Sequence, residues 1–455
     1  MIFLNMKSVA WAYSMITLGT DLLNSVFNFY YVKLFLHLYK ISEVAFCQAQ
    51  IILMIWIILN DLIVYFCDNF KADCGASHYL SALFGGPLYA MTFLLPWFPW
   101  KDYQEGDWLS GIHLMISLCA FESTLSCIQQ VQHKWFVETF PRHESRLRLI
   151  KISHMVSLIG STSILFCGLI SNNIESLPNF QAVAVIIAFL AAASVHAGMN
   201  HMKQFEWKRS LEENVLLGSE EDRSWTSVIV LRQILSQKNF YLFLIVNFLQ
   251  AFHLTFLHNF MMIFMDNLIP RDILSSSGRS IMYGAGFICP QCLVLMGHSW
   301  LKKFGYYKII LISFYLEGTA SIVMLLLGQE YYYCLALYLT FIMVIVQASY
   351  CLFNLPLADM IDAVLLKFNR LPLFSSMVFG INALLTKPAQ SLAPMVILSR
   401  LTQFGYRSPN SSALLDPHGA VFSLVCLLPL GIAIIQIMVW SLFSIRNKTD
   451  YTQTF

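Results

Sequence analysis

Apolar residues recur along this chain in stretches of about twenty or more, separated by short polar segments. They fall at 8–38, 42–67, 77–97, 108–137, 148–170 and 179–200, and again at 239–267, 274–297, 306–328, 331–357, 370–396 and 418–444. A helix rises about 1.5 Å per residue, so each stretch can cross roughly 30 Å of hydrocarbon. Lipid offers backbone groups no partners, which restricts spanning structures to helices and closed barrels, and runs of this length are helices. The pattern predicts an all-α membrane protein with twelve transmembrane helices in two six-helix halves. The halves are 1–200 and 239–455, and the polar interval 201–238 reads as a cytosolic linker.

Composition agrees with this reading. Of the 455 residues, 57% are hydrophobic and 12% charged, against roughly 25% charged in soluble domains. A net charge of +2 and the lack of a basic run speak against a nucleic-acid partner. The first apolar run is too long, and through Asp21 and Lys33 too charged, for a cleaved signal peptide, so it reads as a span. Almost all of the eleven cysteines lie inside apolar runs, where free thiols are expected. Cys289 and Cys292, which flank Pro290, read as small apolar helix residues with no second pair to make a metal site. There is no P-loop, H-E-x-x-H or G-x-S-x-G motif, so neither ATP-driven transport nor hydrolysis is expected. No cofactor is called for beyond a coupling ion, H⁺ or Na⁺.

Charge then orients the spans. One set of alternate loops carries most of the lysines and arginines, from Lys7, Lys71 and Arg142 through Lys203, Arg232 and Lys302 to Lys367, Arg370 and Arg446. The positive-inside rule places that set, the interval and both termini in the cytosol. The Asn410-Ser411-Ser412 sequon then falls in an outward loop, where Asn410 is usable for glycosylation. The plasma membrane is the expected location. An acidic dileucine pattern, Glu212-Glu213 with Leu216-Leu217, makes an endolysosomal membrane the alternative.

Polar residues at membrane depth are the candidate chemistry. Lys387 lies in the eleventh run, where a lysine costs roughly 3 kcal/mol and needs a partner. Asp21 lies mid-span in the first run, with Asn24 on the same helix face, and Asn60 and Asp61 lie in the second run. Asp21 and Asp61 suit a proton or hard cation, and they are natural counter-charges for Lys387 across the two halves. Glu122, Gln129 and Gln130 lie in the fourth run and Glu317 in the ninth, while His113, His154, His253 and His258 show no metal-ligand spacing.

With these residues in place, the chain resembles the glycoside–pentoside–hexuronide:cation symporter branch of the major facilitator superfamily, and its overall pattern is similar to an orphan animal group of the transmembrane protein 180 type. Pro356-Leu357-Ala358-Asp359-Met360-Ile361-Asp362 is similar to the branch's A-D-x-x-D-Y signature, with Ala363 at the tyrosine. Lys387 stands at the branch's eleventh-helix lysine. Tyr13, Gly19 and Asp21 keep its first-helix spacing, and Asn60-Asp61 resembles its N-D-P motif with Leu62 at the proline. Ile57 stands at its earlier second-helix carboxylate, and Gln129 or Gln130 at its fourth-helix aspartate.

The resemblance implies a monomeric secondary carrier of a small organic solute working by alternating access. Asp21 and Asp61 would take the cation or proton. Lys387, Asn24, Asn60, Gln129, Gln130 and Tyr13 would line the solute site, and Asp359, Asp362 and Arg370 would form a cytosolic latch. The lost carboxylates weaken the melibiose-like and Na⁺-coupled cases and favour proton coupling. A lysolipid carrier and a non-transporting receptor, scaffold or surface antigen are the alternatives, with membrane lipid a partner in every case.

Overall fold

The computed structural model describes residues 2–69, 75–139, 143–213, 237–360, 375–403 and 417–444. Those residues form helices and no strand. Before the polar interval come α1 (Ile2–Lys33), α2 (Glu43–Asn69), α3 (Gly75–Leu94), α4 (Trp108–Thr139), α5 (His143–Ser171) and α6 (Leu177–Glu213). After it come α7 (Lys238–Leu268), α8 (Ser276–Met296), α9 (His298–Leu327), α10 (Tyr332–Tyr350), α11 (Ser375–Thr386), α12 (Pro388–Gln403) and α13 (Pro417–Ser441). Helix α6 runs on to Glu213, past the expected boundary at 200. Asp362, Arg370 and Asn410 lie outside the described residues, as does the side chain of Asp61 on α2.

Nine of the described helical segments are long and apolar enough to cross a membrane. Helix α1 is not among them, and its sequence explains why. Tyr13, Thr17, Asp21, Asn24 and Asn28 follow at steps of three or four, which draws a polar stripe down one face of an otherwise apolar helix. The eleventh run also departs from a continuous span, because it breaks at Lys387 into α11 and α12. The cause is local: Pro388 has no N–H to continue the ladder. The last turn closes with the Lys387 amide on the Ala383 carbonyl (2.8 Å), and the next opens with the Gln390 amide on the Lys387 carbonyl (2.9 Å).

Other boundaries also have local causes. Gly305 takes φ 75° within α9, so a straight span begins just after it. Ser275 caps α8 by accepting from the Gly278 amide at 3.3 Å. Before α4, Asp107 accepts from the Leu109 amide at 3.2 Å and lies 2.6 Å from Lys101 Nζ. The lysine bond, joined by the backbone one, holds the Asp107 carboxyl below its usual range.

Helix α1 is central to the packing. It lies along α5 and α6 and also meets α7, while α5 packs on α8 and α2 on α12. Glycine permits the closest approach: a Cβ at Gly198 of α6 would come within 2.7 Å of the Ala12 carbonyl oxygen and 2.6 Å of Ile16. These contacts place the polar stripe of α1 where helices from both ends of the chain converge.

Candidate solute cavity

A cavity of 440 Å³ lies at that convergence, lined by side chains of α1, α2, α4 and α5 on one side and of α7, α8, α10, α11 and α12 on the other. Along α1 its wall runs from Tyr13 to Tyr31, about 27 Å at 1.5 Å per residue. The α1 stripe accounts for much of the polar lining. Carboxamides dominate the rest, among them Gln129, Gln132, Asn247, Asn259, Gln291, Gln347, Asn382 and Gln390. Asp21, Glu122 and Lys387 are the charged groups of the described lining, accompanied by His154 and His258.

Of the two carboxylates expected as counter-charges for Lys387, Asp61 has its side chain outside the described residues, and Asp21 is bonded elsewhere. Asp21 accepts a short hydrogen bond from Ser157 of α5. Lys387 Nζ donates to Ser126 Oγ of α4 at 2.7 Å. Both line the cavity, but no ion pair joins them among the described residues. Helix packing explains the outcome: α11 lies against α4, whereas the Asp21 face of α1 lies against α5.

The other expected site residues divide by helical phase. Tyr13, Asn24 and Gln129 line the cavity; Asn24 accepts from Asn28 at 2.8 Å, and the Tyr13 ring lies 6.4 Å from Phe136. Gln130 and Asn60 are not in the lining. The cavity face of α4 passes through Leu118, Glu122, Gln129, Gln132 and Phe136, and Gln130 sits one residue, about 100°, off that face. Helix α2 meets the cavity through Leu53, two turns before Asn60. Asp359 is buried on the helical stretch 354–360.

Sequence reasoning missed Gln132, whose Nε2 donates to Thr17 at 2.7 Å, because one more glutamine in an apolar run carried no spacing signal. It also missed the bridges between the two sets of helices. His154 Nδ1 lies 2.6 Å from Gln291 Oε1, and Asn259 Nδ2 donates to the Tyr31 hydroxyl at 3.0 Å. His258 Nε2 lies 3.3 Å from Gln347 Oε1 within the second set. His253 and Glu317, fully buried away from the cavity, stand 3.5 Å apart.

Beyond Tyr31 the bundle is pinned shut at the end opposite the N-terminus. Asp266, near the end of α7, takes Lys33 of α1 at 2.7 Å on one oxygen and Arg279 of α8 at 2.5 Å on the other. Arg279 also donates to the carbonyls of Ile269 (2.6 Å) and Leu274 (3.2 Å). Arg271 and Glu175 pair at 2.6 Å, and Asn173 bonds Ser276 and Ser280 at 3.0 and 2.9 Å. Lys33 and Arg279 could have been flagged by the reasoning that singled out Lys387, since each is a cation inside an apolar run.

A polar cavity held between two sets of membrane helices, and closed at one end by ion pairs between them, defines a multi-pass membrane transporter fold. The chain matches the MFS/sugar transport protein family over residues 12–447 and belongs to it. Among curated proteins it is similar to Transmembrane protein 180 of Gallus gallus, with 26% identity over 96% of this chain and 92% of that one. To Transmembrane protein 180 of Mus musculus it is 25% identical, over 97% and 93%. Among solved structures it shares its fold with a D-xylose-proton symporter (TM-score 0.61, 11% identity, 98% and 99% covered). The nucleoside transporter NupG superposes with a TM-score of 0.59 at 14% identity over 96% and 99%. A bacterial homologue of the iron transporter ferroportin, in its outward-facing state, gives 0.61 at 13% over 97% and 100%.

Proposed function

We propose that this protein is a secondary carrier of a small, polar, uncharged or weakly charged organic solute, coupled to a proton or cation and working by alternating access. The observation that carries this reading is the cavity: 440 Å³ between the two sets of helices, walled by carboxamides, with Asp21 and Lys387 on separate partners. Carboxamides present donor and acceptor together and suit hydroxyl, amide or heterocyclic groups. Such a wall suits a lysolipid chain poorly, since each polar end would lose water without a replacement bond. The xylose symporter and the nucleoside transporter, whose folds this chain shares, are named for polar solutes of this size class.

Asp21 is the proton or cation acceptor in this scheme. Its described partner is a neutral hydroxyl, Ser157, so ionisation at membrane depth leaves its charge to be met by a cation. Asp61 is the second acceptor on α2. Lys387 holds α11 to α4 through Ser126 in the present state and releases it when the cavity reopens on the other side. With the orientation expected from the basic residues, the pinned end is the outer one and solute would exchange from the cytosolic side in this state.

The test is a thermal-shift screen of purified protein against sugars, nucleosides, amino acids, organic anions and lysolipids at two pH values. Uptake of each stabilising solute into proteoliposomes follows. Asp21→Asn and Lys387→Ala are expected to abolish uptake while the protein remains folded. Full uptake by both variants would overturn the assignment. Stabilisation by lysolipid alone would replace the solute class, and stabilisation by nothing in the panel would favour a receptor or scaffold.

A further inference from the structure

The corner between α5 and α6 stands at the pinned end, and its backbone is one that its sequence does not favour. Asn172, Asn173 and Ile174 follow one another with φ of 52°, 55° and 71°, all in the left-handed region. Asparagine enters that region at small cost, but a β-branched residue there is an outlier. Ile174 is also fully buried, so its side chain is packed in this conformation. Local bonds hold part of the turn. The Asn173 amide donates to the Gly168 carbonyl at 2.9 Å, the Ile174 amide to Ser171 Oγ at 3.1 Å, and the Ser176 amide to the Ser171 carbonyl at 3.0 Å.

The other bonds come from across the bundle. Asn173 Nδ2 donates to the carbonyl and the hydroxyl of Ser276, at 3.1 and 3.0 Å, and Asn173 Oδ1 accepts from Ser280 at 2.9 Å. Ser276 in turn donates a short bond to Asn172, and Glu175, next after Ile174, pairs with Arg271. Both asparagine carboxamides thus reach α8 from left-handed positions. Gly168 clears the approach, since a Cβ there would lie 3.0 Å from both Asn173 Oδ1 and Ser280 Oγ. Side-chain direction follows the backbone, so a return of the corner to ordinary φ would turn these groups away from α8.

A sparsely populated conformation lasts only while its surroundings over-determine it. The bonds to α8 are part of what holds this one, and they break together when α8 leaves the corner. We propose that residues 172–174 form a conformational spring: closing the pinned end onto α8 loads the corner into its left-handed form, and opening lets Ile174 relax. The strain works against the ion pairs of Asp266 and keeps the closure reversible. This inference rests on the alternating-access reading, because it needs a state in which this end is open.

The experiment is hydrogen–deuterium exchange of the full-length protein in nanodiscs, read on peptides covering 262–280, beside the unfolding temperature. Ile174→Leu removes the β-branch and keeps the apolar volume, while Ile174→Gly enters the left-handed region freely. Both are expected to favour the closed end and slow exchange in these peptides. The slowing is about 5- to 30-fold for glycine, from the left-handed cost of one residue, and smaller for leucine. The unfolding temperature of Ile174→Gly should fall at the same time, because a buried side chain is lost. A merely structural residue would not move the two readouts in opposite directions. Asn173→Ala removes bonds to α8 and keeps the strain at Ile174, so it is expected to speed the same exchange. Unchanged or faster exchange in Ile174→Leu would mean a corner equally strained in both states; it would overturn the spring and leave the carrier reading intact. If the unaltered protein exchanged at 262–280 only through global unfolding, there would be no open state, and the spring and alternating access would fall together.

Discussion

Removing Lys33 should open the pinned end of the bundle far more gently than removing the residue it bonds. Asp266 is shared: Lys33 lies 2.7 Å from one oxygen and Arg279 2.5 Å from the other. Lys33→Met therefore leaves the carboxylate with its arginine, and the loss is one charge-assisted bond, about 1.5–3 kcal/mol. At 1.4 kcal/mol per factor of ten, this shifts the balance towards opening by about 10- to 100-fold. Asp266→Ala strands two cations whose side chains are 8% and 3% exposed. Removing one partner of a buried pair costs about 3–5 kcal/mol, so this variant should open further and unfold earlier. Arg279→Met falls between them: it frees the carbonyls of Ile269 and Leu274 but leaves Asp266 with Lys33.

Hydrogen–deuterium exchange in nanodiscs reads this without added labels. Peptides covering 262–280 should exchange about 10- to 100-fold faster in Lys33→Met, with the rest of the chain little changed, because exchange follows the population of the open form. If Lys33→Met exchanges as fast as Asp266→Ala, the pinned end depends on Lys33 itself and the argument that Arg279 compensates Asp266 is wrong.

Gly198→Val should lower the unfolding temperature, since its Cβ would sit 2.7 Å from a backbone oxygen of α1 and overpacking costs about 1–3 kcal/mol; Gly431→Ala, where nothing lies within 4 Å, should be neutral or stabilising. Ser126→Ala should keep solute binding in the thermal-shift screen, because it removes one neutral partner of Lys387, whereas Lys387→Met should lose it. The buried His253–Glu317 pair should behave non-additively: His253→Leu alone leaves a lone buried carboxyl, and adding Glu317→Leu should recover part of the lost stability in the same melt. Additive losses would show that the two residues act separately.

Much of this protein is legible along the chain. Apolar stretches long enough to span a bilayer and the polar face of α1 at Tyr13, Thr17, Asp21, Asn24 and Asn28 are local features, and so is the break at Lys387-Pro388, although the eleventh run reads by hydropathy as one span. Hydropathy, proline chemistry and the 3.6-residue period act within one helix, so sequence alone determines them. The family signature near Asp359 and the lysine of the eleventh run identify the fold for the same reason.

Tertiary structure decided the partners. Asp21 met Ser157 and not Lys387, Gln132 faced the cavity where Gln130 did not, and Lys33 found Asp266 across 233 positions of sequence. Each outcome turns on which helices pack together and at what rotation. A rotation of one residue, about 100°, moves a side chain from the cavity wall to its back. The cost of burying a charge says that each such residue must have a partner. It carries no information on which one, because any hydroxyl, carboxylate or carboxamide within reach lowers that cost, and reach is set by the packed bundle.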